Sequence, residues 1–546
     1  MTQKVIVVPE PKKLRFTGRW FRFDGFKEFP KFLKEEFNVP SGDWKITRLD
    51  RDGTGLEIRD GEVRIWGDEH ICYATIIQFI MQRSNFLPEV HVDERFSFKF
   101  RGFHLDIARG GVPRLPTFKK ILRLLFVLKY NYFAIYLEDL FPWKKHPSIG
   151  ARRGRLTVEE LKEIINYGRN LGVEVFPSLE LSGHMENILS LPEYREFSEW
   201  HNPREGCLDL SNEEAREFTY NLLKEVLEFF PSVYIHVGGD ETWALGRGKS
   251  LDKTGRFNGP ELYERHHKRL IDLVREKGKV PILWGDMITG MYLKEGRRAW
   301  RSLIESPVWR EALIANWDYS PNPKEHFEKK IRLLTDLNLK QIACPGLANW
   351  NRYYPNFKVA IKNLRNFLSA AKELKVEGFL ITAWGDDGEE CLFHFLDPLI
   401  LASMEIAEGS GKWEEKWLAL TGENKGVLEA RKIFGEPEIS ESIKHVLFAD
   451  ERYHRLTSTE KQVLLSRMEE ALKKTESTRL PEDLYFIRLC IAACVKRLRN
   501  DISASDLIAL SSLYSKLWLS ERKEQGLERI VSRFWGAAGR VDLNLG

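Results

Sequence analysis

The spacing of apolar residues changes twice along the chain, and the first region mixes two periods. Alternating or β-branched runs indicate half-buried strands, whereas an apolar stripe every three to four residues indicates a helix. We therefore predict a small α+β domain over residues 1–97. Its predicted strands are 5–8, 55–58 and 63–66, and its amphipathic stretches are 26–37 and 70–82.

From residue 98 onward, a short apolar run is followed again and again by a stretch with helical periodicity. Eight such β-then-α units over residues 98–410 predict an α/β fold of the (β/α)8 barrel type. A doubly wound open sheet has the same alternation and is the alternative. The predicted strands are 102–107, 132–137, 173–179, 233–237, 280–284, 313–317, 341–345 and 378–384, and the helical stretches are 118–129, 157–171, 212–230, 260–277, 323–337 and 358–374.

The last region, residues 411–546, has no strand pattern. Helical periodicity marks 412–421, 459–474, 481–499 and a final segment over 503–534. We predict a helical C-terminal domain that either packs on the barrel or forms the contact surface of a homo-oligomer.

Composition narrows the classes of partner. The net charge is only +4, from 84 basic and 80 acidic residues with interspersed signs, which argues against nucleic acid. No stretch approaches the roughly 20 apolar residues of a membrane span, and residues 1–14 lack the apolar core of a secretory signal. The six cysteines lack metal-ligand or disulfide-framework spacing, which favours a reducing cytoplasm.

Polar and aromatic residues gather where the predicted barrel strands end. Catalytic residues of such barrels lie at these carboxyl ends. Aromatic rings stack on the apolar faces of sugars, and carboxylates bond to sugar hydroxyls, so the pattern predicts a carbohydrate site. The strand ends carry Arg109, Glu138, Asp139, Glu180, His184, Asp240, Glu241, Trp284, Asp286, Trp317, Trp350, Trp384 and Asp386.

The end of strand four places two acids side by side. Gly238 and Gly239 precede Asp240 and Glu241, and two residues without side chains let the backbone bend so that both acids face the pocket. Neighbouring carboxylates repel, which raises the pKa of at least one of them. They are too close to flank a glycosidic bond, which requires about 5 Å or more between carboxyl groups. The two acids must therefore have different tasks.

Residues 236–241 read His-Val-Gly-Gly-Asp-Glu. This segment resembles the His-x-Gly-Gly-Asp-Glu hallmark of glycoside hydrolase family 20, the β-N-acetylhexosaminidases, without a mismatch. The resemblance covers residues 98–410, and the preceding α+β domain is similar to the one found before the barrel in that family. It implies a retaining exo-enzyme without a cofactor or metal, acting on N-acetylated amino-sugar glycosides or oligosaccharides. The nucleophile would be the substrate's own acetamido carbonyl, which forms an oxazolinium intermediate.

The resemblance also implies roles for individual residues. Glu241 would act as general acid and then base, while Asp240 would hold the acetamido N–H and stabilise the oxazolinium charge. Arg101, in an Arg-Gly-x-x-Leu-Asp segment, matches the arginine that binds the 3- and 4-hydroxyls. Asp139 and His184 are expected to orient the acids, with His236 in support, and Trp284, Trp317 and Trp384 to form an aromatic box. Tyr319 or Tyr353 would bind the acetamido oxygen, Asp386 the 4- and 6-hydroxyls, and Trp350 is a further expected substrate contact.

Strand eight departs from the family's usual Trp-x-Glu, since Trp384-Gly385-Asp386 has an acid one methylene shorter. The preference between gluco and galacto sugars therefore stays open. One rival interpretation is a non-catalytic carbohydrate-binding barrel, against which the intact acid pair argues. Another is a metal enzyme using His236, Asp240 and Glu241 as ligands, but no histidine-rich ligand spacing supports it.

Overall fold

The computed structural model describes residues 4–290, 300 and 302–543. Its N-terminal region is a five-stranded sheet of order β1-β5-β3-β4-β2, covered by the helix Glu69–Gln82. This region is the predicted α+β fold. Its strands are β1 (Lys13–Arg22), β2 (Lys45–Arg48), β3 (Thr54–Arg59), β4 (Glu62–Trp66) and β5 (Phe86–Glu94), and its second helix is Lys31–Glu36.

Two predictions in this region were wrong. Residues 5–8 form no strand, because helical side-chain amides satisfy their backbone: Gln78 bonds to both N–H and C=O of Val8, and Gln82 does the same for Ile6. The expected helix over 26–37 is confined to Lys31–Glu36. Pro30 precedes that helix, and a residue before proline disfavours helical geometry, so the chain stays extended up to it.

Eight parallel strands close the central region into a barrel, as predicted, and the open doubly wound sheet is excluded. Strand β13 pairs with β6 and completes the circle. The strands are β6 (Phe100–Asp106), β7 (Tyr132–Tyr136), β8 (Glu174–Ser178), β9 (Tyr234–His236), β10 (Val280–Trp284), β11 (Leu313–Trp317), β12 (Gln341–Cys344) and β13 (Gly378–Ala383).

Amphipathic helices surround the barrel. Helix Val158–Asn170 shows why: Thr157 and Glu160 form a reciprocal capping box at its start, and Leu161 and Ile164 on one face are buried. The barrel helices are Leu115–Val127, Val158–Asn170, Glu213–Phe229, Gly259–Glu276, Lys324–Thr335, Phe357–Glu373 and Asp397–Glu408, with short helices Glu186–Leu189, Lys249–Thr254 and Asp286–Thr289 in the loops.

The C-terminal region is helical, as predicted, and it packs on the barrel. The single segment expected over 503–534 is two helices, because the chain turns at Gly526, whose φ is +90°. No helix in the described ranges is both long and apolar enough to cross a bilayer. The helices are Trp413–Thr421, Lys425–Phe434, Pro437–Ser440, Ile443–Phe448, Glu451–Arg455, Ser458–Thr475, Glu482–Leu498, Ala504–Glu521 and Leu527–Asp542.

Candidate active site

A pocket of about 190 Å³ opens at the carboxyl ends of the barrel strands. Eight of the predicted site residues meet there, together with Arg109, which had been noted only as a strand-end residue. Acidic, basic and aromatic side chains thus share one small cavity, as a sugar site requires. The lining residues are Arg109, His184, Asp240, Glu241, Trp317, Tyr319, Trp350, Trp384 and Asp386.

Two glycines turn the chain out of β9 towards this pocket. Gly238 and Gly239 have φ of +75° and +99°, in the region that favours glycine. A Cβ on Gly238 would lie 2.4 Å from the carbonyl oxygen of Leu179, and one on Gly239 would lie 2.7 Å from the Tyr263 hydroxyl. The bend therefore needs glycine for both its conformation and its space, and it lets two consecutive acids reach one cavity.

Asp240 is the buried member of the pair. Burial by itself would raise its pKa, but His184, with Nε2 3.5 Å from Asp240 Oδ2, and a hydrogen bond from Glu180 hold the pKa below its usual value. The fully buried Glu180 has the opposite shift, because burial and the Asp240 charge raise its pKa well above normal. Asp240 is consequently the ionised partner and Glu180 the protonated one.

Glu241 is the accessible member, with its side chain 39% exposed. Its pKa is raised, first by partial burial and then by the charge of Asp240. The backbone N–H of Glu241 donates to Asp286 Oδ2 at 3.0 Å, which fixes a residue whose φ is +46°. His184 Nε2 lies 3.6 Å from Glu241 Oε2. The site therefore combines a solvent-accessible acid that keeps its proton to higher pH with a buried carboxylate.

His184 carries the positive charge between these acids. Burial disfavours its charged form, yet Asp240 outweighs that effect and raises the pKa of His184 to about 9. The imidazolium is thus present at neutral pH. The backbone φ of His184 is +47°, so the loop after β8 bends sharply and brings the ring to the two acids.

Aromatic rings form one wall of the pocket. Trp317 stacks on Tyr319 with ring centroids 5.0 Å apart, and Trp350 lies 5.3 Å from Tyr319. Trp384 Nε1 donates to the Tyr319 hydroxyl at 2.7 Å, while Trp317 Nε1 donates to Asp286 Oδ1 at 3.1 Å. These hydrogen bonds fix the ring orientations, so the wall is preorganised.

The opposite side of the pocket holds an ion-paired arginine. Arg109 Nη1 donates to Asp386 Oδ1 at 3.1 Å, and its Nε donates to Glu138 Oε1 at 2.9 Å. Burial raises the pKa of Glu138 to about 8, although Arg109 opposes the rise. The guanidinium therefore lies between a partly exposed acid at the pocket, Asp386, and a buried acid, Glu138.

Arg101 was wrongly predicted to bind the sugar. It is the second residue of β6, and its guanidinium donates to the carbonyl oxygens of Lys129 and Phe98. Five residues of strand, about 16 Å, separate it from Asp106 at the carboxyl end. Its place in the pocket is taken by Arg109, three residues beyond the strand.

Two further predictions were misplaced. Asp139 does not reach the acid pair; it is buried in an ion pair with Arg153 Nε at 2.9 Å. Glu138 beside it has a φ of +42° and pairs with Arg109 of the pocket. Tyr353 is fully buried under the C-terminal helices, 5.4 Å from the ring of Tyr514. Of the two candidate tyrosines, Tyr319 is the one in the pocket.

Trp284 and His236 lie below the pocket. Trp284 was predicted to belong to the aromatic box, but it is fully buried and offers no surface to a ligand. Its ring centroid is 4.3 Å from that of His236 and 5.7 Å from that of Trp384. Burial lowers the pKa of His236 to about 3, and its Nδ1 accepts from the N–H of Gly238. Both residues support the strand ends from beneath.

Sequence reasoning named Glu138, Glu180 and Asp286 as strand-end acids but assigned them no role. Burial and the nearby acids raise the pKa of Asp286 to about 7, and it anchors Glu241. The sequence feature that marked Glu138, Glu180 and Asp286 as candidates was their position directly after a strand. What separates them from Asp139 is the direction of each side chain, which the sequence pattern does not contain.

One group of described residues has the composition of a metal site. Ligand atoms of Glu138, His184 and Glu186 lie within 4.8 Å of one another. His184 is also the charge partner of Asp240, and Glu138 pairs with Arg109, so two of the three are already engaged. The rival set of His236, Asp240 and Glu241 does not form such a group among the residues searched. The expectation that no metal is needed stays a prediction.

Comparison with known proteins agrees with this geometry. Residues 98–325 match the family model "Glycosyl hydrolase family 20, catalytic domain". Hexosaminidase D of Bos taurus is 30% identical over 195 residues, which are 34% of this chain and 55% of that protein. The β-hexosaminidase subunit beta of Entamoeba histolytica is 24% identical over 226 residues. Those residues are 36% of this chain, and the chain spans only 40% of that relative's length.

A solved structure matches nearly the whole chain. It is the chitobiase of Flavobacterium johnsoniae, with a TM-score of 0.59 and 16% identity over 97% of this chain and 99% of that one. At this identity the likeness concerns the fold. The barrel and the strand-four acids therefore agree with the match of residues 98–325 to the catalytic domain of glycosyl hydrolase family 20.

Proposed function

We propose that the protein is a retaining exo-β-N-acetylhexosaminidase that removes terminal β-linked GlcNAc or GalNAc by substrate-assisted catalysis. One observation carries the proposal. Asp240 and Glu241 are adjacent on the same side of a small aromatic pocket, and His184 lies 3.5 and 3.6 Å from them. Two carboxylates so arranged do not flank a glycosidic bond as a nucleophile and acid do, and the acetamido group of the substrate supplies the nucleophile instead.

Glu241 is the proton carrier in this proposal. Its raised pKa keeps the carboxyl group protonated to higher pH, and its partial exposure leaves it accessible to a leaving group and to water. Glu241 gives its proton to the glycosidic oxygen as the bond from C1 to that oxygen breaks. After departure of the aglycone, the carboxylate takes a proton from the water that attacks C1, while the bond from C1 to the acetamido oxygen breaks and the acetamide is restored.

Asp240 handles the acetamido group. It stays ionised, because His184 and Glu180 stabilise its charge, so it accepts the acetamido N–H and opposes the positive charge of the oxazolinium ring. The acetamido oxygen forms the new bond to C1 while the leaving group departs. Tyr319 donates to this oxygen, since its own oxygen accepts from Trp384 Nε1 and it retains a hydrogen to donate.

Arg109 and Asp386 bind the far side of the sugar. A guanidinium and a carboxylate in contact present donors and acceptors to neighbouring hydroxyls. The cavity of about 190 Å³ corresponds to roughly six water molecules, which suits one sugar residue and therefore an exo-acting enzyme. The substrates are N-acetylated amino-sugar glycosides or oligosaccharides.

The test compares Glu241→Gln, Asp240→Asn and wild type on aryl β-GlcNAc and aryl β-GalNAc substrates that differ in leaving-group acidity. Loss of the acid lowers turnover by about 10² to 10⁴ for poor leaving groups and far less for good ones. Asp240→Asn lowers turnover for both kinds, because oxazolinium formation needs its charge. Asp272→Asn, on a barrel helix where Asp272 pairs only with Lys268 in the described structure, is the matched control and retains wild-type rates.

Two results would contradict the proposal. A wild-type protein that binds sugar but cleaves no aryl glycoside would support the non-catalytic carbohydrate-binding barrel. Failure of a thiazoline analogue of the oxazolinium to inhibit would exclude substrate assistance. Short chitooligosaccharides in the same assay identify the preferred aglycone.

We also propose a reducing, cytoplasmic location. All six cysteines are free and buried, so the fold described here needs no disulfide. Assembly into a homo-oligomer through the C-terminal helices stays a prediction, which sedimentation of the purified protein tests.

A further inference from the structure

The loop after β13 has an unusual backbone. Asp386, Asp387, Gly388 and Glu389 have φ of +29°, +22°, +113° and +60°. Residues other than glycine rarely adopt positive φ, yet three of these four are not glycine, and such conformations persist only where the surrounding structure fixes them. Since Asp386 lines the pocket, what holds this loop also determines where that carboxylate stands.

Cations from the C-terminal helices hold Asp387. Lys444 Nζ lies 2.7 Å from Asp387 Oδ2, while Arg529 and Arg533 donate to Oδ1 at 2.6 and 2.8 Å. Arg533 also donates to the carbonyl oxygen of Asp387 at 3.2 Å. These bonds bind both the side chain and the backbone of the residue next to Asp386.

Two of these cations, Lys444 and Arg533, also hold Glu390 at the end of the same loop. Glu390 is fully buried, with Lys444 Nζ 2.5 Å away and Arg533 in a second ion pair with the same oxygen. The hydroxyl of Tyr514, in helix Ala504–Glu521, donates to the Glu390 carbonyl oxygen at 2.9 Å. Removing one partner from a buried ion pair leaves an uncompensated charge, so these contacts are costly to break.

The loop that carries Arg109 rests on the same helices. A Cβ on Gly526 would lie 1.9 Å from the carbonyl oxygen of Gly110, so the two backbones are in close contact. The N–H of Lys523 donates to the Val112 carbonyl oxygen at 2.8 Å. The Arg109–Asp386 pair of the pocket is therefore supported from both sides by residues 521–533 and Lys444.

We propose that the C-terminal helical region completes the sugar-binding half of the pocket, with Arg533 and Lys444 as positioning residues for Asp386 and its partner Arg109. The assignment of that pair to sugar hydroxyls rests on the proposed function. The positioning role of Arg533 and Lys444 does not rest on the proposed function, because it concerns only how the loops that carry Asp386 and Arg109 are held.

Arg533→Met tests the proposal, with Arg540→Met as its matched control. Both arginines belong to helix Leu527–Asp542, but Arg540 donates to the Phe448 carbonyl oxygen within the C-terminal region. Hydroxyl contacts act in the ground state and the transition state alike, so we expect KM for aryl β-GlcNAc to rise about 10-fold or more while kcat stays within about 3-fold. Arg540→Met keeps the wild-type KM.

The variant Asp387→Asn and hydrogen exchange separate the proposal from a misfolded variant and from an error in the proposed function. Asp387→Asn removes the ion pairs of Asp387 with Lys444, Arg529 and Arg533 without leaving a cavity, and we expect it to raise KM as well. Hydrogen exchange of residues 107–112 and 384–391 should quicken in Arg533→Met and not in Arg540→Met, whether or not the wild type cleaves a glycoside. If exchange in both loops is the same in the two arginine variants, or if Arg533→Met lowers only kcat, the proposal is wrong.

Discussion

Replacing His184 by asparagine changes the pH dependence of the reaction in a defined direction. The ring nitrogen of His184 stands between the two acids, and its raised pKa makes it cationic below about pH 9. Asparagine removes that charge. Because the charge lowers the pKa of Asp240 and also that of Glu241, its loss raises both.

The size of the effect follows from the distance. At the 3.5 Å between His184 Nε2 and Asp240 Oδ2, Coulomb's law gives about 1 kcal/mol in a water-like medium and about 5 kcal/mol at an effective dielectric constant of about 20. At about 1.4 kcal/mol for each pH unit, the loss of this interaction raises the pKa of Asp240 by about 1 to 3.5. Glu241 moves less, since solvent screens its partly exposed side chain.

The assay is kcat/KM for an aryl β-GlcNAc from pH 3 to pH 10, which reports the acid and base of the free enzyme. Asp240 must be ionised, so activity is lost as pH falls through its pKa, and the acid limb moves to higher pH in His184→Asn. Glu241 must be protonated, so the basic limb also moves upward. His146→Asn, whose wild-type ring bonds to Tyr194 outside the pocket, keeps the wild-type profile. An acid limb that stays in place or moves downward refutes the reasoning.

Three further outcomes are expected. Gly238→Ala, whose Cβ would stand 2.4 Å from a backbone oxygen at a φ of +75°, destabilises the fold by about 1 to 3 kcal/mol and abolishes turnover; an unchanged melting temperature would contradict this. Arg109→Met loses charge-assisted bonds worth about 1.5 to 3 kcal/mol and raises KM about 10- to 100-fold. Arg101→Met lowers the melting temperature and leaves KM unchanged. Equal KM values in the two variants would argue against the conclusion that Arg109, and not Arg101, lines the pocket. Dialysis against a chelator leaves kcat/KM unchanged, and a loss that zinc restores would point to the Glu138, His184 and Glu186 group.

Much of the site follows from local sequence alone. The alternation of apolar runs and amphipathic stretches predicted the closed barrel, because each strand buried on both faces must be apolar and each surrounding helix apolar on one face. Gly238 and Gly239 predicted the bend that brings two adjacent acids into one pocket, since only glycine tolerates that backbone. The adjacency itself implied a division of labour between Asp240 and Glu241.

Other features required the tertiary structure. Glu138 pairs with Arg109 and Asp139 with Arg153 in a turn where the φ of Glu138 is +42°, and no residue pattern encodes that angle. Tyr353 resembles Tyr319 as a candidate until the C-terminal helices are seen to cover it.

The sequence by itself determined the (β/α)8 barrel and the two acids that follow its fourth strand, because both are set by residues close together in the chain. Only the tertiary structure decided that Arg109 and not Arg101 lines the pocket, and that Arg533 contacts the loop of Asp386. Those contacts join residues distant in the chain. The position of each arginine depends on which end of strand β6 it lies near, and the contact of Arg533 depends on how the helical region packs against the barrel.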